Sequence, residues 1–64
     1  MKRIEHEATK GKRHTVGHGD FGTLKRWEVY DERLQIELFH WHGNMGEAKC
    51  LAIAEALNAR EWED

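Results

Sequence analysis

The sequence predicts an α+β fold in which a three- or four-stranded antiparallel β-meander carries one C-terminal α-helix on one face. Two neighbouring stretches, LKRWEVYD and LQIELFHWH, alternate in polarity and are rich in aromatic and branched residues, which is typical of strands. The segment KCLAIAEALNAR, dense in alanine and leucine, is typical of a helix. At 64 residues the chain has room for a single small domain, so residues 1–64 are assigned to one.

The two central strands are expected to form a hairpin whose register follows from side-chain parity. Placing Val29 opposite Ile36 gathers the apolar side chains on one face, whereas a slip of one residue would oppose them to polar neighbours. The face that packs on the helix would then hold Trp27, Val29, Leu34, Ile36 and Leu38. The same alternation predicts that Phe39 and Trp41 point to the opposite face.

The first 23 residues carry weaker patterns. RIEHEAT suits an edge strand, Lys10 and Gly11 suit a turn, and KRHTV suits a returning strand. Gly17, Gly19 and Gly22 then predict a flexible loop. This loop lacks the Lys-Ser/Thr pair that accompanies phosphate binding in P-loops, so a plain connector is favoured over a phosphate site.

The C-terminal helix has a predicted start and a predicted buried stripe. Asn44 is a suitable N-cap, and Glu47 three residues later completes a capping-box pattern. The stripe consists of Cys50, Ile53, Ala54 and Leu57, with Leu51 at its margin. We expect it to pack on the face of the hairpin that holds Val29, Ile36 and Leu38.

The sheet face opposite the helix is the predicted partner-binding surface. No second helix is available to cover it, and aromatic side chains mixed with arginine are typical of interface hot spots. Its members are Leu24, Arg26, Tyr30, Phe39 and Trp41. The alternative is that the N-terminal segment folds over this face. Because so short a chain is marginally stable, burial against another protein or a second copy would help it.

The charge distribution allows a second function, nucleic-acid binding. The net charge is −2, but residues 1–26 carry seven Lys/Arg against three Asp/Glu, and the remainder carries three against nine. A basic surface would be built from Lys10, Lys12, Arg13, Lys25 and Arg26, with Phe39 or Trp41 for base stacking. The acidic C-terminal half would repel phosphate, so this stays the alternative.

Catalytic and metal-binding patterns are weak. His14 with His18, and His40 with His42, have ligand-like spacings, but no paired C-x-x-C or H-E-x-x-H occurs, so no metal or cofactor is expected. The chain has no serine, and Cys50 lies inside the helix, so no catalytic residues are assigned and no enzyme is predicted.

The same composition bears on the compartment. One cysteine permits no intrachain disulfide and suits a reducing, cytoplasmic environment. The N-terminus lacks the apolar core of a signal peptide, and no apolar run of about 18 residues predicts a membrane span.

The tail EAKCLAIAEALNARE resembles the closing helix of short uncharacterised proteins encoded by bacteriophages and prophages. The resemblance covers about fifteen residues and supplies no functional residues. It implies a bias toward proteins that bind and modulate a host protein. The leading expectation is therefore a non-enzymatic protein–protein interaction module, as a phage-type modulator or inhibitor or as a homodimer. A small nucleic-acid-binding module is the alternative.

Overall fold

The computed structural model describes residues 3–21, 24–60 and 62, and it confirms the predicted α+β fold. The elements are β1 (Ile4–Glu5), a 3₁₀ turn (Glu7–Thr9), β2 (His14–Phe21), β3 (Leu24–Asp31), β4 (Ile36–His42) and α1 (Gly46–Asn58). The strands pair antiparallel in the order β1-β2-β3-β4, which is a meander. Within the described ranges, no helix is both long and apolar enough to cross a membrane.

Strand β2 corrects the predicted glycine-rich loop. It runs unbroken from His14 to Phe21 and pairs with all of β3, from His14 opposite Asp31 to Phe21 opposite Leu24. Gly17 lies inside the strand, and the guanidinium of Arg3 lies over the position that a Cβ would occupy there. The glycine therefore marks a close approach to the sheet surface and not a connector.

The register of β3 and β4 also differs from the prediction. Val29 lies opposite Phe39, Trp27 lies opposite Trp41, and a bulge follows between Val29 and Tyr30. Directly paired residues of antiparallel strands point to the same face, so Phe39 and Trp41 lie on the helix side with Val29 and Trp27. The predicted placement of Phe39 and Trp41 on the opposite face is wrong. The extra residue at the bulge shifts the alternation that the prediction carried through unchanged.

The core lies between α1 and the central strands. Val16 of β2, Val29 of β3, and Cys50 and Ala54 of α1 are fully buried. Trp27 completes this cluster, and the half-buried side chains packed against it are those of Phe39, Leu51, Ile53 and Leu57. The predicted helix stripe is confirmed. Ile36 and Leu38 are not part of the core, and both are exposed.

The helix begins one residue later than the capping pattern predicted, at Gly46. Its cap is Met45, which has a left-handed backbone (φ 73°) and makes no side-chain capping bond. The next residue, Gly46, lies directly on the ring of Trp27, where a Cβ would overlap the ring atom Cδ1. Glu47 bonds His6 Nε2 at 2.9 Å and not the backbone at Asn44. Close packing of the helix start on Trp27 thus replaces the predicted capping box.

Candidate interaction surfaces

The predicted partner surface is divided between the two faces of the sheet. Arg26 and Tyr30 lie on the face away from α1, which we call the open face, since they alternate with Trp27 and Val29. Phe39 and Trp41 lie on the helix side, where Lys49 Nζ of α1 is 4.7 Å from the Trp41 ring centroid. The side chain of Leu24 lies outside the described residues. The five residues therefore do not form one patch.

The open face carries a network of ion pairs in place of an aromatic patch. Arg3 Nε donates to Glu28 Oε1 at 2.5 Å, and its guanidinium lies 5.5 Å from the Tyr30 ring centroid. Arg26 donates to Glu28 and, at 2.6 Å, to Glu37 Oε1. Two cations and two carboxylates from β3, β4 and the N-terminal segment thus neutralise one another.

The titration behaviour of this network follows from its contacts. Burial would raise the pKa of Glu28, but hydrogen bonds with Glu37, Arg3 and Arg26 outweigh it and lower the pKa. Hydrogen bonding to Glu37 raises the pKa of Arg26 above its usual value. These charges are therefore committed to one another at neutral pH.

The basic residues of the nucleic-acid alternative form two separate groups. Lys10, Lys12 and Arg13 precede β2, whereas Lys25 and Arg26 begin β3, at the other end of the β2–β3 hairpin. The two groups are separated by most of an eight-residue strand, about 20 Å. Arg13 bonds Asp31 at 3.2 Å, and Arg26 is held in the open-face network. The arrangement gives no continuous basic stripe, and nucleic-acid binding stays a prediction with less support.

The histidines are dispersed over the fold. His6 and His18 both lie against the Trp27 ring, with ring centroids 6.2 Å and 4.6 Å away. The rings of His40 and His42 on β4 have centroids 5.6 Å apart. His14 is buried. The described ranges hold no group of three or more His, Cys, Asp or Glu placed to bind a metal ion. The predicted pairs of histidines therefore find no third ligand there.

Cys50 is an unreactive core residue in this setting. It is fully buried, and burial raises the pKa of its thiol to about 11, with the charge of Glu28 adding to the effect. A thiol with so high a pKa is almost entirely protonated at neutral pH and is a poor nucleophile.

A buried polar corner closes the end of the sheet where β2 begins. We define it by His14, Asp31 and Asn58, and both His14 and Asp31 are buried. Asn58 Oδ1 accepts the backbone N–H of His14 at 2.9 Å, and Asn58 Nδ2 donates to the His14 carbonyl at 2.8 Å. These two bonds fix the amide orientation, so His14 Nδ1, 3.1 Å from the same Oδ1, must be the protonated ring nitrogen.

The other side of the corner faces a carboxylate. His14 Nε2 lies 3.4 Å from Asp31 Oδ2 and has no hydrogen-bond partner in the described structure. Burial would raise the pKa of Asp31, but hydrogen bonds from the Leu34 backbone and from Arg13 outweigh it and lower the pKa. Trp62 covers Arg13 from outside, with the guanidinium 4.5 Å from the ring centroid. The corner therefore ties β2, β3 and the end of α1 together.

A run of exposed apolar side chains lies on strand β4, and we call it the β4 edge. It consists of Ile36, Leu38 and Trp41, which are 46%, 43% and 39% exposed, and Leu34 in the preceding turn is 59% exposed. Strand β4 is the last in the sheet order, so one side of its backbone pairs with β3 and the other has no strand beside it within residues 3–21, 24–60 and 62. Sequence reasoning missed this surface because it placed Leu34, Ile36 and Leu38 in the core. The last position of β4 in a meander was the signal that could have found it.

Comparisons with known proteins add no relative. No family model matches the chain, and no curated protein and no solved structure matches it significantly. The class of the molecule is therefore stated by its architecture, a four-stranded antiparallel sheet with α1 packed on one face. The resemblance of the C-terminal helix to those of phage proteins stays a prediction.

Proposed function

We propose that this chain is a non-enzymatic protein-interaction module that binds an extended segment of its partner along the β4 edge. The observation that carries the proposal is the combination of an unpaired strand edge with two exposed aliphatic side chains and a half-exposed tryptophan. Such an edge offers backbone N–H and C=O groups in the spacing that another strand requires. Strand addition of this kind draws affinity from backbone hydrogen bonds and specificity from alternate side chains.

The two edges of the sheet support this choice by their difference. The β1 edge has a strand of only two residues, and the adjoining part of β2 is bonded by the N-terminal segment. His6 N donates to the Val16 carbonyl at 2.7 Å, and Thr9 Oγ1 accepts from Val16 N at 2.8 Å. Proteins commonly protect edges by shortening or covering them. The seven-residue β4 has neither form of protection in the described chain.

The chemistry of the β4 edge indicates the class of segment that it would accept. Ile36 and Trp41 offer apolar contacts on the helix side of the sheet, and Glu37 and His40 offer polar contacts on the open face. An extended segment with alternating apolar and charged residues matches this pattern. A host protein bound by a phage-type modulator could supply such a segment, and that identity remains part of the proposal.

The proposal is tested by selecting extended peptides that bind the full chain from a displayed random library. We expect the selected peptides to slow amide hydrogen exchange along residues 36–42. Leu38→Lys should weaken their binding by about tenfold, since it puts a charge among apolar contacts. Ile4→Lys is the matched control, because it makes the same kind of change at an exposed aliphatic side chain on the opposite edge of the sheet. A footprint on α1 or on the β1 edge would contradict the proposal.

A further inference from the structure

We propose that the strand accepted by the β4 edge is β4 of a second copy, paired antiparallel with Glu37 of one chain opposite His40 of the other. This inference rests on the proposed function, since it names the occupant of the same edge. It would join two four-stranded sheets into one continuous eight-stranded sheet. A two-fold axis would relate the two copies, and α1 of both copies would lie on the same face of that sheet. The partner class is thus an identical chain bound through an isologous contact.

The bulge makes this register self-complementary. Ile36 pairs with Asp31 and Trp41 with Trp27, so both lie on the helix side of the sheet. Glu37 pairs with Tyr30 and His40 with Glu28, so both lie on the open face. Reversing the strand therefore brings Ile36 opposite Trp41 of the second copy on one face and Glu37 opposite His40 on the other. On both sides of the bulge, each residue therefore lies opposite a residue of the second copy that points to the same face. In a strand without a bulge, this register would place residues that point to opposite faces across from each other.

Neighbouring registers do not have this property. Moving the second copy by one residue in either direction sets Ile36 of the helix side against His40 or His42 of the open face. The register that centres on Glu37 would oppose two carboxylates, which is destabilising. The proposed register pairs six residues of each strand, from Ile36 to Trp41, and it matches the faces of the residues on both sides of the bulge.

Charge complementarity favours a second copy over an unrelated strand. Glu37 is the one carboxylate of β4, and its Oε2 already lies 3.6 Å from His40 Nδ1 of the same chain. In the dimer each Glu37 would also face the second copy's His40, giving two symmetric polar pairs. Between them, Leu38 and Phe39 of each strand would meet at the centre. An unrelated strand would need the same order of apolar, acidic and imidazole side chains.

The first test measures the mass of the full chain by sedimentation equilibrium across a range of protein concentrations. We expect the mass to rise from one chain to two and to stop there. Ile36→Lys should weaken this self-association by about tenfold or more, because a lysine would replace an apolar cross-strand contact. Ile4→Lys is the matched control, because Ile4 is 53% exposed and lies on the opposite edge of the sheet. This variant should dimerise as the wild type does.

The second test fixes the register by disulfide trapping. Directly opposed residues have Cα atoms about 4.5–5.5 Å apart, within the range of about 4.4–6.8 Å that a disulfide requires. An equal mixture of Glu37→Cys and His40→Cys chains should therefore form the mixed disulfide under mild oxidation. Either variant alone should cross-link poorly, since identical residues would lie three positions apart, about 10 Å along the strand. The native Cys50 can stay, because its buried thiol does not compete.

The outcomes separate this inference from the proposed function. The inference is supported if Ile36→Lys weakens the dimer and if the disulfide forms only when Glu37→Cys and His40→Cys chains are mixed. A chain that stays monomeric at every concentration while selected peptides still bind at β4 overturns the dimer and leaves the strand-accepting edge. A monomer that binds no peptide at β4 overturns both. A dimer unaffected by Ile36→Lys, or one trapped equally by Glu37→Cys alone, overturns the edge contact or its register.

Discussion

The buried polar corner and the β4 edge reverse the usual distribution of polar and apolar side chains. The corner buries an imidazole and a carboxylate at one end of the sheet, where a half-buried amide bonds to the histidine. The edge leaves two aliphatic side chains and part of an indole in solvent. Both regions belong to the same small sheet, so composition alone does not explain which residues are inside.

The difference between the regions follows from the coverage that one helix can provide. With 13 residues, α1 packs its stripe on Val16, Trp27 and Val29, and its last residue, Asn58, reaches the start of β2. The backbone there needs hydrogen-bond partners once it is buried, and Asn58 supplies them. The outer side of β4 lies beyond the helix and keeps its exposed groups. Hydrogen-bond demand thus explains the buried polar residues, and limited coverage explains the exposed apolar ones.

Of the two regions, the corner is expected to show the larger loss of stability when it is disrupted. Asn58→Ala would leave the backbone N–H, the carbonyl and Nδ1 of His14 without their partner. Buried groups left unsatisfied cost about 1–3 kcal/mol each, so we expect the free energy of unfolding to fall by about 3 kcal/mol or more. Urea denaturation at fixed protein concentration measures this. The exposed Asn44→Ala is the matched control, and equal stability of the two variants would show that the corner contributes little.

A smaller effect is expected where the edge meets the core. Trp41→Ala would remove a side chain that is 39% exposed and whose Nε1 donates to the Asn44 carbonyl at 3.1 Å. Full burial of a large apolar side chain contributes about 1.5–3 kcal/mol, so its partial burial should cost about 1–2 kcal/mol. The same urea titration, at a concentration at which the chain is monomeric, measures the change. A loss as large as that of Asn58→Ala would place Trp41 in the core and not at its margin.

The sequence was sufficient for the parts of the fold that repeat regularly. Strand β3 spans the predicted residues Leu24–Asp31, and the helix buries the predicted Cys50 and Ala54, because both elements follow their ideal period without interruption. The order of the strands followed from short connections, which favour a meander. These features depend on local pattern alone, and a single chain displays that pattern directly.

The register of β4 and the candidate site could not be predicted, for two physical reasons. The turn before β4 is closed by Asp31, whose Oδ1 accepts from the backbone of Arg33 and Leu34, and Gln35 then takes a left-handed backbone. No glycine indicates this turn. The bulge beside Val29 then reverses the faces to which Phe39 and Trp41 point. These are two of the five predicted partner residues, and their predicted placement depended on unbroken alternation. Both features arise from the fit of strands in space, which alternation does not encode.

A pH titration should distinguish the two regions further. The lowered pKa of Asp31 means that its folded form releases its proton more readily than the unfolded chain, where the value is 3.8. The stability that it contributes is therefore present above about pH 4 and is lost as the pH falls through the folded pKa. Glu28 on the open face acts in the same direction from its usual value of 4.5. The apolar side chains of the β4 edge, Ile36, Leu38 and Trp41, carry no titratable group, so they add nothing to this pH dependence.

The measurement is the urea midpoint of unfolding between pH 7 and pH 3. Asp31→Asn should be less stable than the wild type at pH 7, but its stability should fall less steeply below about pH 4.5. Glu28→Gln should flatten the same acid limb, and the double variant should flatten it most. Profiles of all variants that run parallel to the wild type would show that neither carboxylate gains from its folded contacts.

The smallest effect on the fold is expected at the β4 edge itself. Ile36→Lys and Leu38→Lys change side chains that are nearly half exposed and that are not packed in the core. Surface substitutions usually change stability by no more than about 0.5 kcal/mol, so each monomer should unfold at nearly the wild-type urea concentration. Val29→Lys, one strand inward and fully buried, is the contrast and should prevent folding. If Ile36→Lys destabilised the monomer as Val29→Lys does, the edge would be core, and its exposure would not indicate a binding surface.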